Sequence, residues 1–152
     1  MDLENLYQEI ILDHYKHPRG KGLREPYAVE VHHVNPTCGD EITLRVHRDG
    51  QTLTDISYDS LGCSISVASA SMLAELLTGD DLGHARERFA AVRSMLTSKG
   101  ADSGDEEIIG DAVALAGVAR YPARVKCALL SWMALADALA TTGVNLSEET
   151  HV

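Results

Sequence analysis

The sequence predicts an α+β fold: a three-stranded antiparallel sheet with helices packed on one face. Two observations carry this. Period-two alternation of apolar residues is confined to residues 28–60, whereas helical spacing governs residues 3–16 and nearly everything after Cys63. Strands grouped together and helices grouped after them cannot build the βαβ crossovers of a parallel sheet, so the helices collect on one side. A chain of 152 residues is expected to close one core without staples, as a single domain over 1–152 with a frayed tail at 147–152.

The elements follow in order. Leu3, Leu6, Tyr7, Ile10 and Ile11 recur at helical spacing, with Asp2 as a cap and Pro18 and Gly20 as stops. Three strands are expected at 28–34, 41–48 and 52–60. In the second, Ile42, Leu44 and Val46 share one face. Asp49-Gly50 makes a hairpin turn into the third strand, whose alternation slips between Leu53 and Ile56 in the manner of a bulge. Residues 65–78 form a Ser/Ala-rich helix with Met72, Leu73, Leu76 and Leu77 on its apolar face and Gly79 closing it. Asp80 or Asp81 starts the next helix, which carries Ala85, Phe89, Val92 and Leu96. Residues 98–110 are polar, acidic and glycine-containing, and read as an exposed loop. A short helix at 111–119 precedes a long one at 122–141, with Pro122 in its first turn and Gly143 after its last.

Composition narrows the function. The most apolar stretch, 125–136, is interrupted by Lys126 and followed by Asp137, too short to cross a bilayer. A formal charge of −10 without a basic stripe argues against nucleic acid and for a protein partner with a basic face. The chain has three cysteines, which cannot all be paired with one another. Its first five residues are acidic where a signal peptide would be basic. Reduced thiols in a cytoplasmic protein are the expectation.

Each cysteine falls at an element boundary. Cys38 lies in the turn between the first two strands. Cys63 sits at a strand-to-helix junction, one residue ahead of Ser64, which can cap. Cys127 is in the first turns of the long helix. A thiol near a helix N-terminus has its thiolate favoured, which suits metal ligation or nucleophilic attack. No pair forms a CxxC knuckle, so spacing alone is a weak metal signal. Asp40 strengthens it, because Gly39 lets the Cys38-Gly39-Asp40 turn aim a thiolate and a carboxylate at one point. Three thiolates and a carboxylate would complete a tetrahedral zinc shell. The alternative at this stage is two buried small apolar cysteines and a loop thiol.

Four motifs stand together: Asp13-His14-Tyr15-Lys16-His17-Pro18-Arg19-Gly20, Asn35-Pro36-Thr37-Cys38-Gly39-Asp40, Gly62-Cys63-Ser64-Ile65-Ser66 and Arg124-Val125-Lys126-Cys127. In these the chain resembles the IscU/NifU-like family of iron–sulfur assembly proteins, over about residues 3–142, and within it the SufU branch. Two departures from the IscU pattern select that branch: Lys126 stands where IscU-like scaffolds have His, and residues 98–110 look like the SufU insertion. A protonated lysine has no lone pair for a metal.

The resemblance implies a zinc site formed by Cys38, Asp40, Cys63 and Cys127. It also implies a zinc-dependent sulfurtransferase that accepts persulfide sulfur on Cys38 from a SufS-type cysteine desulfurase and passes it towards downstream iron–sulfur assembly proteins. A histidine from the partner entering the zinc shell is the implied way of freeing Cys38. The same ligands could instead hold a labile [2Fe–2S] cluster on a scaffold, and a non-catalytic adaptor with structural zinc is a third reading. Lys126 and Arg124 are candidates for offsetting the negative charge of the site, against a plain solvated helix face. None of the seven histidines lies within two residues of a cysteine, and they read as structural or exposed.

Overall fold

The computed structural model of the chain describes residues 3–146, so the tail expected at 147–152 lies outside the described residues. The order is α1 (Leu3–Lys16), β1 (Val29–Asn35), β2 (Asp40–Asp49), β3 (Thr52–Leu61), α2 (Ser64–Leu77), α3 (Leu82–Thr97), α4 (Glu106–Ile109), a 3₁₀ helix (Gly110–Arg120) and α5 (Pro122–Thr141). The strands form one antiparallel sheet in the order β1-β2-β3. β2 and β3 pair His47 with Asp55 and Arg48 with Leu53, which leaves Thr54 as the extra residue of a bulge. That residue explains the slipped alternation: it lets Leu53 and Ile56, three apart, both reach the core.

One face of the sheet, with Ile42, Leu44, Val46, Ile56 and Tyr58, is buried under helices; α5 packs on β1 and β2, and α2 on β3. α2 is enclosed on nearly every side, which is why it is built of Ser and Ala. Ser69 Oγ donates to the carbonyl of Ala128 at 2.6 Å and accepts from Trp132 Nε1 at 3.0 Å, tying α2 to α5. The other face is partly crossed by the segment before β1. Gly22 N–H donates to Tyr58 O at 2.7 Å, Arg24 N–H to Ser57 Oγ at 3.1 Å, and the Arg45 guanidinium lies 4.1 Å from the Tyr27 ring centre.

Two expectations change. Residues 98–110 are not wholly an exposed loop: Asp105 caps the turn of helix α4, accepting from Glu107 N–H at 3.0 Å, and Ile109 is buried. The two isoleucines inside this acidic stretch give the turn something to bury. Ser64 does not cap α2; it is the first helical residue, and Cys63 occupies the N-cap without a side-chain cap bond. Among the described residues no helix is long and apolar enough to cross a membrane.

Candidate functional site

The end of the sheet where β1 turns into β2 is also where β3 runs into α2, because Asn35 pairs with Asp40 and Glu41 with Leu61. The turn is set by Asn35, whose carbonyl accepts from Cys38 N–H at 3.2 Å and Gly39 N–H at 2.8 Å. Its side-chain Oδ1 accepts from Thr37 N–H at 3.2 Å. Gly39 has φ +75°, a left-handed angle that reverses the chain into β2. Cys38 is left exposed on the turn, and Asp40, next but one, points inward and is buried.

The Asp40 carboxylate bridges to the second junction. Oδ1 accepts from Cys63 N–H at 3.1 Å, and Oδ2 lies 3.9 Å from Cys63 Sγ. It thus meets an unpaired N–H at the start of α2, where negative charge is favoured, and does what a capping side chain would have done. Gly62 makes the approach possible: a Cβ there would stand 2.6 Å from Asp40 Oδ1 and would also strike Ser66 Oγ. From the third side α5 brings Cys127, buried, with its sulfur 3.3 Å from Cys38 Sγ.

The ligand atoms of Cys38, Asp40 and Cys127 all lie within 4.8 Å of one another; Cys63 falls outside that group, its sulfur 3.9 Å from Asp40 Oδ2. Thiolates bound to one zinc at about 2.3 Å are separated by about 3.8 Å in a tetrahedron, so the Cys38 and Cys127 sulfurs would part by roughly 0.5 Å to share one ion, from the 3.3 Å at which they stand. The donor set therefore fits a zinc ion. Sequence alone placed Cys127 where a helix dipole favours thiolate. Instead its thiol is pushed well up, first by burial, then by the Asp40 carboxylate and the Cys38 and Cys63 sulfurs around it. Within a cluster of acids each negative charge opposes the next, whereas a divalent cation would reverse that balance.

Arg124 and Lys126 are exposed, and among the described residues neither has a hydrogen bond or ion pair to Asp40 or a cysteine. What sequence reading missed is the apolar rim. Val34 and Leu61 are exposed across Glu41 on the outer face of the sheet, and Tyr121 is exposed just before α5. Nothing in an alternating strand pattern distinguishes a terminal apolar residue that faces solvent from one that is covered.

Residues 6–128 match the NifU-like N-terminal domain family. The chain is 43% identical to the zinc-dependent sulfurtransferase SufU of Bacillus subtilis, covering 91% of this chain and 92% of the relative. It is 36% identical to the iron–sulfur cluster assembly scaffold protein IscU of Streptococcus pyogenes, covering 90% and 84%. The crystal structure of a nitrogen-fixing NifU-like protein (N-terminal) from Brucella abortus aligns at a TM-score of 0.80 and 25% identity, over 93% of this chain and 96% of that one. With the motifs, the sheet and the clustered thiols in agreement, the chain belongs to the family of NifU-like N-terminal domains.

Proposed function

We propose that this protein is a zinc-dependent sulfurtransferase that takes persulfide sulfur from a cysteine desulfurase for iron–sulfur cluster assembly. Cys38, Asp40, Cys63 and Cys127 are its zinc ligands. Zinc, when bound, would hold the thiols as thiolates at neutral pH. The observation that carries the reading is the placing of the Cys38 sulfur: Cys38 and Cys63 are both exposed and Cys127 is buried, and Cys38 stands on a turn, 3.3 Å from Cys127. An exposed sulfur on a turn can meet a donor, while Cys127 is fixed within α5 and Cys63 is tied by its N–H to Asp40.

In the transfer the Cys38 sulfur attacks the outer sulfur of the donor persulfide. A new S–S bond forms at Cys38, the donor's S–S bond breaks, and the donor cysteine leaves as thiolate. The exchange needs no external oxidant or reductant. The similarity to SufU, named as a zinc-dependent sulfurtransferase, supports the activity. A desulfurase approaching Cys38 would cross the apolar rim of Val34 and Leu61 and the exposed cations Arg124 and Lys126, which we read as contacts of that encounter.

The test is Cys38→Ala in a desulfurase assay with cysteine as substrate. The variant is expected to abolish sulfur acceptance; acceptance at the wild-type rate overturns the assignment. The similarity to an IscU scaffold favours one second reading, a [2Fe–2S] cluster built on the same four residues. That reading predicts a cluster on reconstitution with iron and sulfide, and no persulfide on Cys38.

A further inference from the structure

Away from the cysteines, a second group of metal-ligating side chains is assembled from elements far apart in sequence. Among the described residues His14 is the one buried histidine, and it is completely withdrawn from solvent. Its Nδ1 lies 2.7 Å from Ser71 Oγ on α2. Its Nε2 lies 2.9 Å from Asp111 Oδ2, on the 3₁₀ helix, and 3.7 Å from Glu75 Oε1 on α2. The three ligand atoms all lie within 4.8 Å of one another.

Four features of this cluster match a cation site. The spacings are right: donors at about 2.1 Å from one ion are about 3.0 to 3.4 Å apart in octahedral or tetrahedral shells, and 2.9 Å and 3.7 Å span that range. The outer contacts are in place. Ser71 Oγ, which also accepts from Arg19 N–H at 2.8 Å, fixes the far nitrogen of the ring, and Arg19 Nε holds Glu75 Oε2 at 3.2 Å so that Oε1 faces His14. Metal-bound histidines and carboxylates are oriented in this way. An entrance exists, since the Glu75 and Asp111 side chains are 44% and 42% exposed while the imidazole is sealed. Finally, carboxylates outnumber the guanidinium: Arg19 pairs with both Asp13 and Glu75, at 2.9 Å and 3.2 Å, while Asp111 contacts the His14 imidazole.

The geometry points to a second, sulfur-free metal site, in which His14 Nε2, Glu75 and Asp111 take a divalent first-row transition ion and fasten α1 to α2 and to the 3₁₀ helix. One imidazole and two carboxylates suit manganese, iron or zinc, and they differ in kind from the thiolate centre. The site does not depend on the sulfur-transfer reading. Either can fail alone.

The test uses zinc-loaded protein, so that the thiols are already occupied, titrated with manganese chloride and followed by electron paramagnetic resonance. The expected result is one manganese ion per chain, with selective paramagnetic broadening of the His14 imidazole signals in the NMR spectrum. The paired substitution Glu75→Gln and Asp111→Asn keeps shape and hydrogen-bonding capacity. It should weaken manganese binding at least tenfold and leave zinc at one per chain; Glu75→Gln alone should weaken it to a lesser degree. Absence of manganese binding, or binding that neither broadens His14 nor responds to these substitutions, overturns the proposal and makes the cluster a hydrogen-bonded clasp of His14 with Ser71 and Asp111.

Discussion

Gly62→Ala tests whether the Asp40 carboxylate organises the cysteine centre. The new Cβ would lie 2.6 Å from Asp40 Oδ1 and 2.9 Å from its Cγ, against ordinary contacts of 3.4–4 Å. To relieve the overlap the carboxylate must retreat by roughly 0.8 Å, the distance back to van der Waals contact. The Cys63 N–H···Oδ1 bond, now 3.1 Å, would then be lost. Losing a hydrogen bond to a charged acceptor costs about 1.5–3 kcal/mol. Displacing a group that is both proposed ligand and orienter should lower zinc affinity by roughly 10- to 100-fold. Competition for zinc against a chromogenic chelator measures the second effect, and urea unfolding of the metal-free protein the first. Gly117→Ala is the control, because a Cβ there meets nothing within 4 Å and should leave zinc affinity unchanged. Zinc binding by Gly62→Ala within twofold of wild type would refute the role given to the Asp40–Cys63 contact.

Other consequences are equally open to measurement. Asp40→Ala should loosen zinc at least as much as Gly62→Ala, and an unchanged affinity in the chelator assay would remove Asp40 from the ligand set. In metal-free protein, iodoacetamide should label exposed Cys38 and Cys63 well before buried Cys127, with mass spectrometry giving the order, and zinc should slow all three. Burial raises the Cys127 thiol above its ordinary value of 9.0, so the folded chain keeps a proton that the unfolded chain releases there. Stability of the metal-free protein should therefore fall as pH rises past that value, and the zinc-loaded form, already deprotonated, should lack that slope in thermal unfolding. Ser69→Ala should destabilise the fold by about 1–3 kcal/mol in urea, because Trp132 Nε1–H is left buried without an acceptor.

How much of this was legible in the sequence differs from element to element. The bounds of α5 were readable because Pro122 and Gly143 punctuate them, and the bulge at Thr54 because it broke a period of two. The four residues of α4 are too few to show a helical period, and the acidic residues around them hid the buried Ile109. Cys38, Cys63 and Cys127 are far apart in the chain, so spacing left their meeting open, and the resemblance of their surrounding motifs supplied it. The Cys127 thiol went against expectation because a dipole argument sees only its own helix, whereas Asp40 and two sulfurs arrive from other elements. His14 was passed over for the same reason: its partners Ser71 and Asp111 are 57 and 97 residues away.

The central claim is that sulfur arrives on Cys38. Zinc-loaded protein should be incubated with a cysteine desulfurase and cysteine, and the added sulfur mapped by mass spectrometry with zinc counted in the same sample. A mass increase of one sulfur is expected on the peptide containing Cys38, with zinc retained. An unmodified Cys38, or sulfur found only on Cys63 or Cys127, would contradict it.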